Sequence, residues 1–351
     1  MKKSLIALAA LAAVSAASAQ SSVTLYGRLD VGHLNAETTT NGAKENVNGL
    51  ASAGLSSTYW GLKGSEDLGG GMKANFQLES GVDVGTGASV AGFTRISTVG
   101  LSGKFGEVKL GRDYTPLYSV IGSADVFGRI TATTVNLIPV GTRASNMVSY
   151  QTPTISGFTG KFMTGQNEAV TTTAAGVTTA NTTNSTSGMS VTYANGPLMV
   201  AVGYGESKGL SDPSVVMGGN VANPALVGEA DGTAISASYD LGVVKLFANH
   251  TQGTTKASAA STDIKSKETN LGVTYPMGAF TLLAAYGNNK QTSTGTNLSG
   301  DDFVVGAIYS LSKRTSLYAK AGTYNKADGT LKGAANDVKT TATAIGVRHT
   351  F

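Results

Sequence analysis

The chain contains no cysteine. A disulfide framework, a thiolate zinc site and an iron–sulfur cluster are therefore excluded, and stability has to come from burial or from lipid. Charge is scarce as well: Asp, Glu, Lys and Arg make up 14% of the 351 residues, against about 25% in a typical soluble domain. Proline is rare, and no apolar run approaches the roughly 20 residues that a membrane-spanning helix requires. Polarity is carried instead by Thr, Ser, Asn and 46 Gly, which hydrogen-bond without adding charge and can line a wet interior. Apolar residues recur along the whole chain, which argues against disorder.

The first residues read as an export signal. Lys2 and Lys3 form a positive n-region, residues 5–14 are an apolar run, and Ala17-Ser18-Ala19 is an A-x-A cleavage site. Residues 1–19 are expected to be removed, leaving a single domain over 20–351. Losing Lys2 and Lys3 leaves 24 basic against 22 acidic residues, so the net charge falls from +4 to +2. A balance so near neutrality in an exported chain gives no support to a nucleic-acid partner.

The recurrent pattern beyond residue 20 has period 2. Val23, Leu25, Leu29 and Val31 share one parity, while Thr24, Tyr26, Arg28 and Asp30 share the other. Met72, Ala74, Phe76 and Leu78 likewise alternate with Lys73, Asn75, Gln77 and Glu79. Such strands are apolar on one face only, and a face bearing Lys, Glu and Gln does not meet a packed protein core. About sixteen segments of this kind can be counted. Seven short turns rich in Gly, Pro, Asn and Asp alternate with eight longer connections, among them 35–53, 167–187, 206–232 and 252–268. Both termini fall on the short-turn side. The pattern predicts an all-β fold, an up-and-down antiparallel transmembrane β-barrel of 16 strands. The last strand alternates to a terminal Phe351, an ending common in exported barrels that marks it as an assembly signal for the barrel-assembly machinery.

Several ordered motifs carry a family resemblance. Tyr26-Gly27-Arg28-Leu29-Asp30, Gly61-Leu62-Lys63-Gly64-Ser65-Glu66-Asp67-Leu68-Gly69-Gly70-Gly71, Val99-Gly100-Leu101-Ser102-Gly103, Leu110-Gly111-Arg112, Leu311-Ser312-Lys313-Arg314-Thr315 and Gly346-Val347-Arg348-His349-Thr350-Phe351 together resemble the Gram-negative porins of beta-proteobacteria. The resemblance implies a homotrimer in the outer membrane, in contact with lipid and lipopolysaccharide, with the third external loop folded into the lumen. Many members of that family favour anions. Here the loop corresponds to about 113–145, a stretch with little alternation that is long enough to be functional.

Basic residues at a pore's narrowest point lower the cost of admitting an anion. By parity Arg28, Lys63, Lys73, Lys161, Lys320 and Arg348 face the lumen, and Arg112 is counted with them. The resemblance adds Arg95 and Arg143 at the constriction, with Tyr59 standing where anion-selective relatives carry a third Arg. The loop sets Asp113 and Asp125 against Arg129 and Arg143. The expected function is passive diffusion of ions and small hydrophilic solutes, biased toward anions. The alternatives are a weakly cation-selective or substrate-specific porin, or more remotely a barrel adhesin or lipase. His33, His250 and His349 all have outward parity, no nucleophile elbow or His-Glu-x-x-His motif occurs, and no cofactor or metal is implied.

Overall fold

The computed structural model describes residues 22–40, 42–89, 91–127, 140–166, 171–174, 177–180, 185–210, 228–256, 263–293, 296–327 and 337–351. The export segment 1–19 and Arg129 lie outside them. In chain order the elements are β1 (Ser22–Thr40), β2 (Ala43–Ser52), β3 (Tyr59–Gly69), β4 (Met72–Gly81), β5 (Ile96–Gly103), β6 (Gly106–Tyr114), the helix α1 (Pro116–Ser123), β7 (Arg143–Gln151) and β8 (Phe158–Gln166). A two-stranded hairpin follows, β9 (Thr171–Ala174) with β10 (Val177–Ala180), and then β11 (Ser185–Asn195), β12 (Leu198–Leu210) and β13 (Gly228–Asp240). The remainder is β14 (Lys245–Lys256), β15 (Ile264–Met277), β16 (Phe280–Ser293), β17 (Thr296–Ser310), β18 (Thr315–Ala327) and β19 (Asp337–Thr350).

Every pairing in the barrel is antiparallel; β1 meets β3 on one side and β19 on the other, and β8 meets β11 past the separate β9–β10 hairpin, so the sheet closes. Sixteen strands form the barrel. Closure matters because lipid supplies no hydrogen-bond partner, so an open sheet edge could not be tolerated there. The seventeenth strand of the sheet is β2. One side of β1 is shared, with β3 paired to residues 22–28 and β2 to residues 31–40. No helix among the described residues is long and apolar enough to cross a membrane. Crossing is the work of the strands.

The outward face follows the predicted parity. Val191, Val202, Ile235, Leu271, Phe303, Val305 and Ile345 are exposed on it, forming the apolar band that lipid covers. Near the short turns, Phe158 packs on Tyr193 and Phe280 on Tyr309, with ring centroids 4.7 and 4.6 Å apart, as expected of an interfacial girdle. The carboxy-terminal Phe351 completes the seam: its peptide exchanges two hydrogen bonds with Gly27, at 3.1 and 3.2 Å.

The long connections depart from the sequence expectation in a consistent way. Strands run on into them, so that 35–53 is mostly the β1–β2 hairpin and only residues 294–295 separate β16 from β17. Beyond the bilayer both faces of a strand meet water. Polarity alternation vanishes there although strand pairing continues.

Among the described residues, the segment between β6 and β7 turns inward. It occupies 115–142 rather than 113–145, because pairing of β6 with β7 extends to Tyr114 and Arg143. Thr115 caps α1, accepting from the Tyr118 amide, and Pro116 sits in the first turn, where its missing N–H costs nothing. Leu117, Val120 and Ile121 are buried against Ala201 and Ala234 on the inner faces of β12 and β13. Small residues make that docking possible: a Cβ on Gly203 would lie 2.9 Å from Val120. The Ser236 hydroxyl donates to the Val120 carbonyl at 2.7 Å. Further along, Phe127 joins a cluster with Leu55, Val304, Tyr318 and Tyr324. The inserted segment thus follows the inner wall from β12 towards β18.

Candidate functional site

Opposite that wall, strands β1, β3, β4 and the ends of β5 to β7 bring together the basic residues read from the sequence. Arg95 precedes β5, so strand parity does not govern it. Its Nε donates to Glu79 at 2.5 Å and its Nη2 to the Tyr114 hydroxyl at 2.9 Å. Arg143 opens β7 rather than lying on the loop. Its Nη2 donates to the same hydroxyl at 2.7 Å while its guanidinium lies over the Tyr114 ring, 4.3 Å from the centroid. Tyr114 in turn stacks on Tyr118 of α1 at 5.1 Å. A single phenol therefore couples two arginines to the inserted helix.

Tyr59 has a comparable task. The guanidiniums of Arg28 and Arg95 lie over its ring at 5.1 and 4.9 Å, and cation–π attraction of this kind contributes ~0.5–2 kcal/mol. The residue that the resemblance sets in place of a third Arg is thus a platform that holds two other cations. Arg28 is also anchored by its Nε, which donates to the Ser57 carbonyl at 2.8 Å.

The remaining candidates divide. Lys63, with its Nζ 5.1 Å from the Tyr26 centroid, and Lys73 lie on inward positions toward the short-turn end. Lys161 faces inward and reaches Asp113 at 3.8 Å, a carboxylate that it shares with Lys109. Lys320 and Arg348 face inward beside Asp30. Asp125 follows α1, accepts from the Phe127 amide at 3.0 Å and stands within electrostatic reach of Lys320.

Arg112 stands opposite Ser97 on β5. Its guanidinium is held at the strand end by the Thr94 carbonyl at 2.6 Å and the Ser145 hydroxyl at 2.5 Å. The bulge between β6 and β7, with Gly111 at φ +126 and Asn146 at φ +49, breaks the alternation at this point.

Glu79 and Asp30 were not singled out by sequence reasoning. Inward parity marked both, but parity cannot tell a solvated wall carboxylate from one that neutralises a particular arginine. Counting partners separates the cations. Arg95 is compensated by Glu79, whereas among the described residues Arg28, Arg143 and Arg348 have no carboxylate within 4 Å. The uncompensated charges project their field into the lumen. On the external side, the Asp83 carboxylate accepts from the Ser52 hydroxyl at 2.6 Å and the Gly85 amide at 2.8 Å. These bonds hold it below the usual carboxylate range and tether the 82–95 connection to β2.

A closed sixteen-stranded barrel, narrowed by an inserted loop and lined with arginines, has the architecture of a diffusion pore. The profile of the Gram-negative porin family matches residues 7–350. The chain belongs to the Gram-negative porin family. It is 36% identical to outer membrane porin protein 32 of Delftia acidovorans and 32% identical to an outer membrane porin protein of Bordetella pertussis, each alignment covering both chains completely. A solved structure titled an anion-selective porin from Comamonas acidovorans superimposes with a TM-score of 0.75 at 31% identity, over 95% of this chain and all of that one. This porin is a cell outer-membrane channel for passive diffusion, and its strands β1 and β3 to β8 with β11 to β19 are the wall of that channel.

Proposed function

We propose that this porin passes small hydrophilic solutes with a preference for anions, set at a constriction formed by Arg28, Arg95, Arg143 and Tyr59 across from α1. The observation that carries the reading is the imbalance among neighbouring charges: among the described residues Arg143 and Arg28 have no carboxylate within 4 Å, whereas Arg95 is paired with Glu79. In a confined, partly desolvated passage each uncompensated charge counts for more than on a surface. The superimposed Comamonas structure is titled anion-selective, which supports the same sign. The purified protein in a planar bilayer under a potassium chloride gradient is expected to give a zero-current potential of the sign for chloride over potassium. The opposite sign would replace this reading with a weakly cation-selective pore.

The reading treats the chain as a channel, not as an enzyme or an adhesin. His250 and His349 sit on the outer face and bond to Thr269 and Thr315, away from the lumen. A homotrimer belongs to the same reading, supported by the apolar recess that Phe76, Leu78, Val99 and Leu110 line on the outer face, which lipid or a sister subunit can cover. The seam made by Phe351 supports its part as the handle for the barrel-assembly machinery.

Contact with lipopolysaccharide has separate support. Lys267 of β15 stands directly opposite Lys290 of β16, both exposed on the outer face above Tyr286 and Phe303. Like charges in cross-strand register destabilise a sheet, and an anionic headgroup between them relieves the repulsion. Lys267→Gln with Lys290→Gln is expected to lower the lipopolysaccharide that co-purifies with the barrel. Unchanged retention would remove this pair from the proposal.

A further inference from the structure

We infer that Asp30 is the positioning residue of the constriction, fixing Arg28 and Tyr59 through the segment 53–58. Its carboxylate is fully buried. Oδ1 accepts from the Gly54 amide at 3.0 Å and the Tyr318 hydroxyl at 2.7 Å. Oδ2 accepts from the amides of Leu55 and Ser56 at 3.2 and 2.7 Å and from the Ser56 hydroxyl at 2.9 Å. The backbone of Asp30 adds to the clamp: its carbonyl accepts from the Ala53 amide at 2.8 Å and the Thr58 hydroxyl at 3.0 Å. Burying a carboxylate is costly unless donors replace its water, and these five do so.

The geometry of the clamped segment gives it a functional bearing. Residues 53–58 carry the chain from β2, outside the bilayer, down to the start of β3. Leu55 enters the lumenal cluster beside Phe127 of the inserted loop. Two residues later the Ser57 carbonyl accepts from Arg28 Nε, and the next strand opens with Tyr59, whose ring carries Arg28 and Arg95. One carboxylate on β1 thus ties β18, the inserted loop and the arginine platform into a single arrangement. Arg348, its register partner on β19, and Lys320 on β18 are the neighbouring cations.

A positioning role and a bare charge predict different results. Asp30→Asn removes a negative charge from the lumen wall, so charge alone predicts stronger chloride preference and an undiminished contribution from Arg28. Positioning predicts that Arg28 loses its anchor and that the two sites become coupled. The test is a double-mutant cycle on the zero-current potential with Asp30→Asn, Arg28→Ala and the pair. In the Asp30→Asn background, Arg28→Ala is expected to produce less than about half of its wild-type effect. Additive effects overturn the inference. If Asp30→Asn yields no folded barrel, Tyr318→Phe and Ser56→Ala each remove one donor and keep every charge. Both are then expected to reduce the effect of Arg28→Ala, and an undiminished effect in both overturns the inference equally. The inference rests on the channel reading but not on its sign: coupling is measurable whichever ion the wild type prefers, so the wild-type potential and the cycle can fail separately.

Discussion

Replacing Arg143 by Glu is expected to abolish or invert the preference for chloride, the largest single change available at the constriction. Arg143 Nε has no hydrogen-bond partner among the described residues, and no carboxylate lies within 4 Å of the guanidinium. Among the described residues, the phenol on which it rests is its main partner. A unit charge ~7 Å from a passing ion changes that ion's energy by about 0.6 kcal/mol at the permittivity of water and about 2.4 kcal/mol at an effective permittivity of 20. Reversal changes two units and acts oppositely on anion and cation. After screening by salt this amounts to a shift of order tenfold in the permeability ratio. Glu79→Gln should move the ratio the other way, because it releases Arg95 from its one carboxylate partner. The combination Arg95→Ala with Glu79→Ala leaves the net charge unchanged and should move it least. Zero-current potentials for the set discriminate: if Arg143→Glu leaves the wild-type value in place, the selectivity element lies elsewhere in the lumen.

Those expectations depend on neighbours that only the folded chain reveals. The strands were legible because lipid imposes one requirement on every crossing, an apolar outer face at every second position, as in Val23 to Val31 or Met72 to Leu78. Where lipid ends the requirement ends with it. β2 is exposed at seven of its ten positions, so its Lys44, Glu45, Asn46 and Asn48 read as a loop although they are paired with β1. The constriction was partly legible for a related reason. Parity identifies a side chain that enters the lumen, as for Arg28 and Arg348, and the family resemblance supplied Arg95 and Arg143. Parity does not say what the side chain meets. That Glu79 neutralises Arg95, that Tyr114 joins two arginines and that Asp30 gathers five donors depends on how neighbouring strands and the connections between them meet, and for Tyr318 on β18 closing against β1 through β19. At Arg112 parity gives no direction, since the bulge between Gly111 and Asp113 locally removes the alternation.

Gly203→Val is expected to lower single-channel conductance and increase its fluctuation without preventing the barrel from forming. Valine suits a strand, so β12 itself loses nothing by the change. The lumenal side is different: a Cβ at 203 would lie 2.9 Å from Val120 Cγ2 and 3.4 Å from the Leu117 backbone. Val120 is β-branched and stiff, with no other rotamer of similar energy to adopt in a helix. The helix must therefore move as a body. Whether it shifts or detaches is decided by magnitudes. Burial of Leu117, Val120 and Ile121 contributes about 1.5–3 kcal/mol each, while overpacking typically costs about 1–3 kcal/mol in all. Docking wins, so α1 stays on the wall but is displaced toward the centre of the lumen, carrying Tyr118 and, through the stacked ring of Tyr114, the seat of Arg143 with it. A narrower passage with a loosened arginine should show lower conductance and a smaller zero-current potential together. Val202→Ala, on the outer face of the same strand, should alter neither. If Gly203→Val conducts like the wild type, α1 does not delimit the path and the constriction must be sought along another part of the inserted segment.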